Sequence, residues 1–469
     1  MEQVRVCRFC GYIEAAVGSD RCANCEAFSG MISVSRAEAE RLSRSRRFDF
    51  LRSRLLLPGI ALAVTAVLAF WVSWNYLGLA PNPPAASTNV APTLDPSDWP
   101  QARRTGEGAG FTPNPVPYPH EVKWSYNSGA PLLNAPAVAG DLVYLTMETG
   151  KLVALDRTTG LLVWEHVTGF PSSSTPAVAG ELVVYAIRPG RILALNAMTG
   201  AVQWDRDMGS PILASPVVRD GTVYIGVGDN NLYALDISSG VVLWSFATDD
   251  WVIAAVCLTD NAVVVVSKDN LLHVVDTNTG RRTLVYDTGR ARQILGGPAT
   301  QADRVYVGSQ KGRVWAIDWR ERSLPWDRFN LFWKTTFHVW GWLSHPPSQR
   351  GSVWGAQVEG DVAQSPAVAD GRVYVASVSG VVSALGASSG EVLWQTDMGS
   401  PVTAAPTVAG TTVLVGTESG TVAGLDASNG QLSWGFETGG KITGSPVVAG
   451  TTLYVVSHDG NLYALEAVP

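Results

Sequence analysis

From about residue 120 onward the chain alternates short apolar runs with Gly-, Asp- and Ser-containing turns. Between Trp164 and Trp204 four β-type runs occupy residues 175–179, 181–187, 191–196 and 201–205. They are separated by Ala179-Gly180, Arg188-Pro189-Gly190 and Ala197-Met198-Thr199-Gly200. Gly supplies the positive φ that tight hairpins need, and an Asp such as Asp156 or Asp236 caps its own turn through an Asx hydrogen bond. Four strands on hairpin-length links predict one antiparallel sheet. The unit carries no 3.6-residue helical period, which disfavours a stacked solenoid.

The unit repeats. Ala-Leu-Asp-Arg-Thr-Thr-Gly-Leu-Leu-Val-Trp ends at Trp164, and copies end at Trp204, Trp244, Trp394 and Trp434, with a step of 40 between neighbours. Leu284 and Trp326 stand in the weaker copies, and Trp124 precedes the first. Four-stranded units at about this period, arrayed around an axis, form a β-propeller. Positions 124, 164, 204, 244, 284, 326, 394 and 434 predict eight blades. The last unit has no fourth strand after residues 462–466, and residues 121–126 form a lone one. Pairing the two closes the ring and removes its exposed edges.

The phrase Ala-x-Asp-x-x-x-Gly-x-x-x-Trp resembles the tryptophan-docking motif of pyrroloquinoline quinone (PQQ) repeat propellers. That family takes in the quinoprotein alcohol dehydrogenases and BamB-type outer-membrane assembly lipoproteins. The lead-in Trp99-Pro100-Gln101-Ala102-Arg103-Arg104-Thr105-Gly106 is similar to the opening of such domains, so the resemblance covers residues 97–469. Departures are Leu284, the Trp326 copy with Arg322 in place of Gly, and Val256 in place of the usual Pro. The Trp residues read as structural, packing between neighbouring blades.

The N-terminal end has a different character. Cys7-x-x-Cys10 and Cys22-x-x-Cys25 suit one tetrahedral Zn²⁺ and resemble a minimal zinc ribbon over residues 1–30. Redox or disulfide CxxC pairs are the alternative. Residues 31–54 read as a basic helix carrying Arg36, Arg41, Arg44, Arg46, Arg47, Arg52 and Arg54. Residues 55–79 hold no charge and are long enough to cross a bilayer, with Trp71, Trp74 and Tyr76 as interface anchors. The predicted order is therefore ribbon, basic helix, single transmembrane helix, Pro-rich linker (80–96) and all-β eight-bladed propeller (97–469).

Charge sets the orientation. Residues 1–54 hold ten Arg and seven acids, net +3, leaving 24 basic and 34 acidic groups beyond, net −10. The positive-inside rule then keeps the N-terminus cytoplasmic and the propeller outside, where Cys257 is the one remaining cysteine. An acidic propeller disfavours nucleic acid as a partner.

Chemistry on a propeller gathers where its innermost strands begin. Those positions are Asn134-Ala135, Ser174-Thr175, Ala214-Ser215, Ala254-Ala255, Gly296-Gly297, Gln364-Ser365, Ala404-Ala405 and Gly444-Ser445, without carboxylate, His, Lys or Arg. PQQ needs a hard cation on oxygen ligands, positive charge for its carboxylates and a general base. The resemblance to the dehydrogenases further implies an adjacent Cys-Cys pair, which this chain lacks. PQQ is not expected, and no catalytic residue is assigned.

Docking candidates are Trp251, Arg292 and Lys441 on inter-blade loops, a face shared with the middle hairpins. An insertion at 327–355 carries Phe329, Phe332, Trp333, Phe337, Trp340, Trp342 and Trp354. Phe329, Phe332, Thr336, Trp340 and Leu343 recur at helical spacing. The insertion is expected to leave from an inter-blade loop on that same face, for protein or membrane contact. The functional expectation is a membrane-tethered, non-enzymatic scaffold for envelope assembly or within a membrane complex. The alternative is a membrane-bound PQQ-dependent dehydrogenase or ligand sensor.

Overall fold

Within each repeat the side chains change from axis to rim. The first strand is short and small, as in Ala137–Ala139, because eight blades converge there. The next two, such as Leu142–Thr146 and the middle of Lys151–Asp156, are buried because both sheet faces meet a neighbouring blade. The fourth, Leu162–Val167, alternates exposed and buried positions as a rim strand should. This computed structural model describes residues 3–8, 12–15, 31–44, 60, 62–70, 82–88, 95, 97–116, 120–289, 293–345 and 347–467.

The chain divides into Met1–Pro81 and Asn82–Pro469. The larger unit contains eight antiparallel sheets of four repeat strands. They are blade 1 (137–167), blade 2 (177–207), blade 3 (217–247), blade 4 (257–287), blade 5 (299–357), blade 6 (367–397), blade 7 (407–437) and blade 8 (447–467 with His120–Asn127). The predicted closure is present: Ala464 pairs with Trp124 and Asn461 with Asn127.

Every third-to-fourth strand pairing carries a register shift, as at Ala194/Leu195, and such a bulge increases local twist. The twist delivers the Trp to the next blade. Trp164 Nε1 donates to Ala197 O at 2.9 Å, and Tyr144 Oη reaches the same carbonyl at 3.2 Å. The clamp recurs with Trp354 and Tyr306 on Ala387 O, and with Trp394 and Tyr374 on Ala427 O. Beneath six of these rings lies the motif's Gly. A Cβ on Gly200 would stand 2.6 Å from the Trp164 ring, and its φ of +72° already excludes most side chains.

Blade 5 departs from the predicted register. Its docking residue is Trp354, which pairs with Ala316 and packs over Gly390, and not Trp326. The extra residues therefore lie between the third strand (Arg313–Asp318) and the fourth (Ser352–Gln357), inside the blade. Spacing counted from Trp326 put them after the blade because Leu-Pro-Trp at 324–326 imitates the end of a fourth strand. Leu284 has a compensating partner: Trp319, at the position where other blades carry Ala197 or Ala427, fills the same buried cluster and donates to Ala302 O at 2.9 Å.

In the smaller unit Gln3–Cys7 forms the middle of a three-stranded antiparallel sheet between Ile13–Ala15 and Met31–Ser35. Val4, Val6 and Ala39 make its core. Cys7 is buried at the strand end, and its N–H donates to Tyr12 O at 2.8 Å, closing a turn. Cys10, Cys22 and Cys25 lie outside the described residues. Among the described residues no group of three or more His, Cys, Asp or Glu is placed to hold a metal. Of the apolar run 55–79, Ile60 and residues 62–70 are described, helical and exposed. Among the described residues no helix is long and apolar enough to cross a membrane.

Candidate functional site

At the axis the predicted small residues hold neighbouring blades together. Asn134 Nδ2 donates to Ser172 O (2.9 Å), Thr175 N to Ser215 Oγ (3.0 Å) and Gln364 Nε2 to Thr403 O (2.8 Å). Gly296 and Gly444 lie against neighbouring backbone, where a Cβ would come within 2.4 Å of Gln364 and 3.0 Å of Ala135. These polar groups are engaged in holding the ring.

A belt that sequence reading missed runs around the inner strands. Trp99 pairs with Val138 in blade 1, and Pro100 O accepts from Val178 N in blade 2. Gln101 Oε1 accepts from Val218 N in blade 3. Gly106, Glu107, Ala109 and Gly110 carbonyls take the N–H groups of Leu258, Thr300, Val368 and Val408 in blades 4 to 7. Phe111–Thr112 then adds a parallel strand to blade 7. All these partners sit beside the first-to-second strand hairpins, so the belt crosses one end of the axis.

The belt also corrects the expectation of an uncharged axis. Arg103 donates to Pro406 O at 2.7 Å and Pro366 O at 2.9 Å. The residue keeps partial exposure, but its guanidinium is deep in the ring, and burial draws its pKa down to about 10. Gly110 leaves it room, since a Cβ there would collide with the guanidinium. The run Gly106, Gly108, Gly110 was the available signal, because alternate glycines mark close backbone approach.

The predicted docking residues separate into two places. Trp251 lies on the loop between blades 3 and 4, exposed, with Lys268 Nζ 5.9 Å from its ring centroid. Lys441 lies between blades 7 and 8, across the ring, and pairs with Glu418 at 2.7 Å. Arg292 is outside the described residues. Arg188–Glu148 (2.8 Å) adds another exposed pair to this face, and such pairs contribute about 0–1 kcal/mol each.

The insertion is elsewhere. Because it replaces a third-to-fourth strand turn, it leaves from the opposite face, the one expected to be bland. The predicted helix is present at Asp327–Val339. Both ends return to the outer strand of blade 4: Ser323 N donates to Thr283 O at 2.9 Å, and Gln349 exchanges hydrogen bonds with Asp287 N and O. Arg350 holds the helix start through Asp327 at 3.0 Å. Phe329, Trp340 and Trp342 are well exposed, Trp333 is 39% exposed and Phe337 is half-buried among them. The rings stack on one another, Phe337–Trp342 at 5.4 Å and Trp340–Trp342 at 5.3 Å.

The linker reaches the same face. Ser87 Oγ donates to Asp236 Oδ2 at 2.6 Å and contacts Ser238 Oγ at 2.8 Å. Burial raises the Asp236 pKa, but hydrogen bonds from Ser238, Ser87 and Ser239 outweigh it and hold the carboxyl well below the usual range. A groove of about 590 Å³ runs between residues 82–88 and the turns at Asp220, Asp260 and Asn278. The predicted Pro-rich linker is thus seated on blades 3 and 4 over residues 82–88.

The family described as outer membrane protein assembly factor BamB, built of PQQ repeats, matches residues 119–211, 188–330 and 344–468. The chain belongs to that family. Residues 331–343, within the insertion, fall between the matched segments. BamB from Moraxella catarrhalis is similar at TM-score 0.60 and 21% identity, over 74% of this chain and 98% of that one. The quinohemoprotein alcohol dehydrogenase from Comamonas testosteroni is similar at 0.63 and 14%, over 79% and 80%. A europium-containing methanol dehydrogenase is similar at 0.64 and 13%, over 80% and 98%. These identities establish a shared fold. No curated protein sequence matches the chain.

In this BamB-family propeller the axial residues do not fit a PQQ–cation pair. The innermost strand starts offer no carboxylate as a metal ligand. Arg103, a cation that the belt brings to the axis, already donates to two backbone carbonyls.

Proposed function

We propose that this chain is a membrane-tethered, non-enzymatic docking scaffold, with its propeller outside the cytoplasmic membrane and a Cys₄ zinc module inside. By family likeness, envelope-protein assembly or an accessory role in a membrane complex is its setting. The axis carries this reading, because its hydroxyls and amides hold blades together and the belt covers one end. Function then falls to the surface, where the exposed aromatic insertion and the loops bearing Trp251, Arg292 and Lys441 offer partner contacts.

Soaking the purified chain with PQQ and Ca²⁺ is expected to leave its Tm unchanged and to add no quinone absorbance. A stoichiometric cofactor surviving gel filtration would overturn the scaffold reading. Capture from native membranes followed by mass spectrometry should then return a defined set of envelope or membrane-complex proteins.

The zinc assignment rests on the four-cysteine spacing and on the place of Cys7 at a strand end, where its N–H donates to Tyr12 O. Cys7, Cys10, Cys22 and Cys25 would hold one Zn²⁺ and contribute most of that module's folding energy. Elemental analysis should find one zinc per chain and its loss in Cys22→Ser. Equal zinc in both proteins would refute a single four-cysteine site.

A further inference from the structure

We propose that the aromatic insertion of blade 5 is a lipid-interface foot, seated among the anionic headgroups of the bilayer to which the chain is tethered. The inference rests on the membrane-tether reading and adds a second contact to it.

Four observations converge. Trp326, Phe329, Phe332, Val339, Trp340 and Trp342 are each between 57% and 75% exposed, a concentration of large apolar side chains that closing the ring does not require. The rings support one another and leave their outer sides free, as in the Trp340–Trp342 contact at 5.3 Å. The base is fixed rather than floppy, through Ser323 and Gln349 on blade 4 and Arg350 on the helix start.

The fourth observation selects the occupant. Residues 82–88 sit on the turns of blades 3 and 4 beside Asp260, while Trp319, Arg320 and Arg322, where the insertion begins, flank Asn261 of the same hairpin. The apolar run 55–79 ends three residues before Asn82, a reach of about 10 Å. A span there brings this face, and the insertion that leaves it, to the bilayer. The chemistry suits that boundary: Trp and Phe favour the headgroup level, and exposed Lys334 complements anionic lipid.

The test uses the full chain in phosphatidylethanolamine–phosphatidylglycerol vesicles, with and without brominated acyl chains. Wild type is compared with Trp340→Tyr/Trp342→Tyr, which keeps aromatic rings but removes two reporters, and circular dichroism checks that both fold. Brominated lipid is expected to quench a larger fraction of wild-type tryptophan emission than of the variant's. Equal fractional quenching, with both proteins resisting a carbonate wash, overturns the foot and leaves the span standing, with a protein partner as the remaining occupant. Release of wild type by carbonate overturns the span instead. The quenching difference measured before that wash then still decides the foot.

Discussion

A single indole does two jobs in six of the blades: it covers the turn Gly of the next blade and donates to a carbonyl beyond it. The one blade whose Trp is replaced shows how specific that space is. Leu284 leaves a gap that Trp319 fills from the neighbouring strand. Leu284→Trp alone is expected to overpack the site, destabilising by about 1–3 kcal/mol. Trp319→Ala alone should cost about 3–5 kcal/mol. The double substitution recreates the arrangement at Trp164 and Ala197, so urea melts should show it more stable than the sum of the two losses. Simple additivity would mean the residues do not share one space. Asp236 offers a second residue-scale test. Asn196 makes the same turn in blade 2, accepting from Met198 N and Thr199 N, so Asp236→Asn should keep the turn. The second oxygen, which receives Ser87, becomes an amide that cannot accept. Limited proteolysis should therefore cut residues 82–94 faster in the variant while the ring stays resistant. A carboxyl held low contributes stability above its unfolded pKa and loses it as pH falls through the folded value. The wild-type tether is accordingly expected to hold at neutral pH and to loosen only in strong acid.

Among the elements, the insertion and the belt differ in what the ring demands of them. The insertion replaces a turn that is five residues long in its other copies, and its ends are held by the outer strand of blade 4. Deleting residues 322–349 and joining the strands with a Gly-containing turn should leave a closed propeller with nearly unchanged Tm, since loop length has a weak entropic effect. A deletion through residue 353 would instead remove Ser352 and Val353 from the fourth strand and is expected to unfold blade 5. The belt is not dispensable in this way. Arg103→Met strips two donors from the Pro366 and Pro406 carbonyls and should cost about 1–3 kcal/mol. Equal stability of wild type and Arg103→Met in thermal melts would show that water replaces both bonds.

For the whole molecule, stability depends on a seam that the covalent chain does not close. Trp124 packs over Gly160 and donates to Arg157 O at 3.0 Å from a strand that completes blade 8. Trp124→Ala should cost about 3–5 kcal/mol. Hydrogen exchange should rise first at residues 120–127 and 461–467, whereas Trp204→Ala should leave that seam protected. Sequence alone determined the blade count, the four-strand unit, the closure by residues 121–126 and the helical character of the insertion. Each of these follows from local periodicity: alternation, turn chemistry and the 40-residue step are properties of neighbours along the chain. Tertiary structure decided that Trp354 and not Trp326 docks blade 5, because a Trp is identified by the Gly and carbonyl it meets across a blade boundary. It placed the insertion and residues 82–88 on one face, which depends on strand direction at the point of departure. It also brought Arg103 and the belt to the axis. Their partners lie up to 303 residues away, beyond the reach of any local pattern.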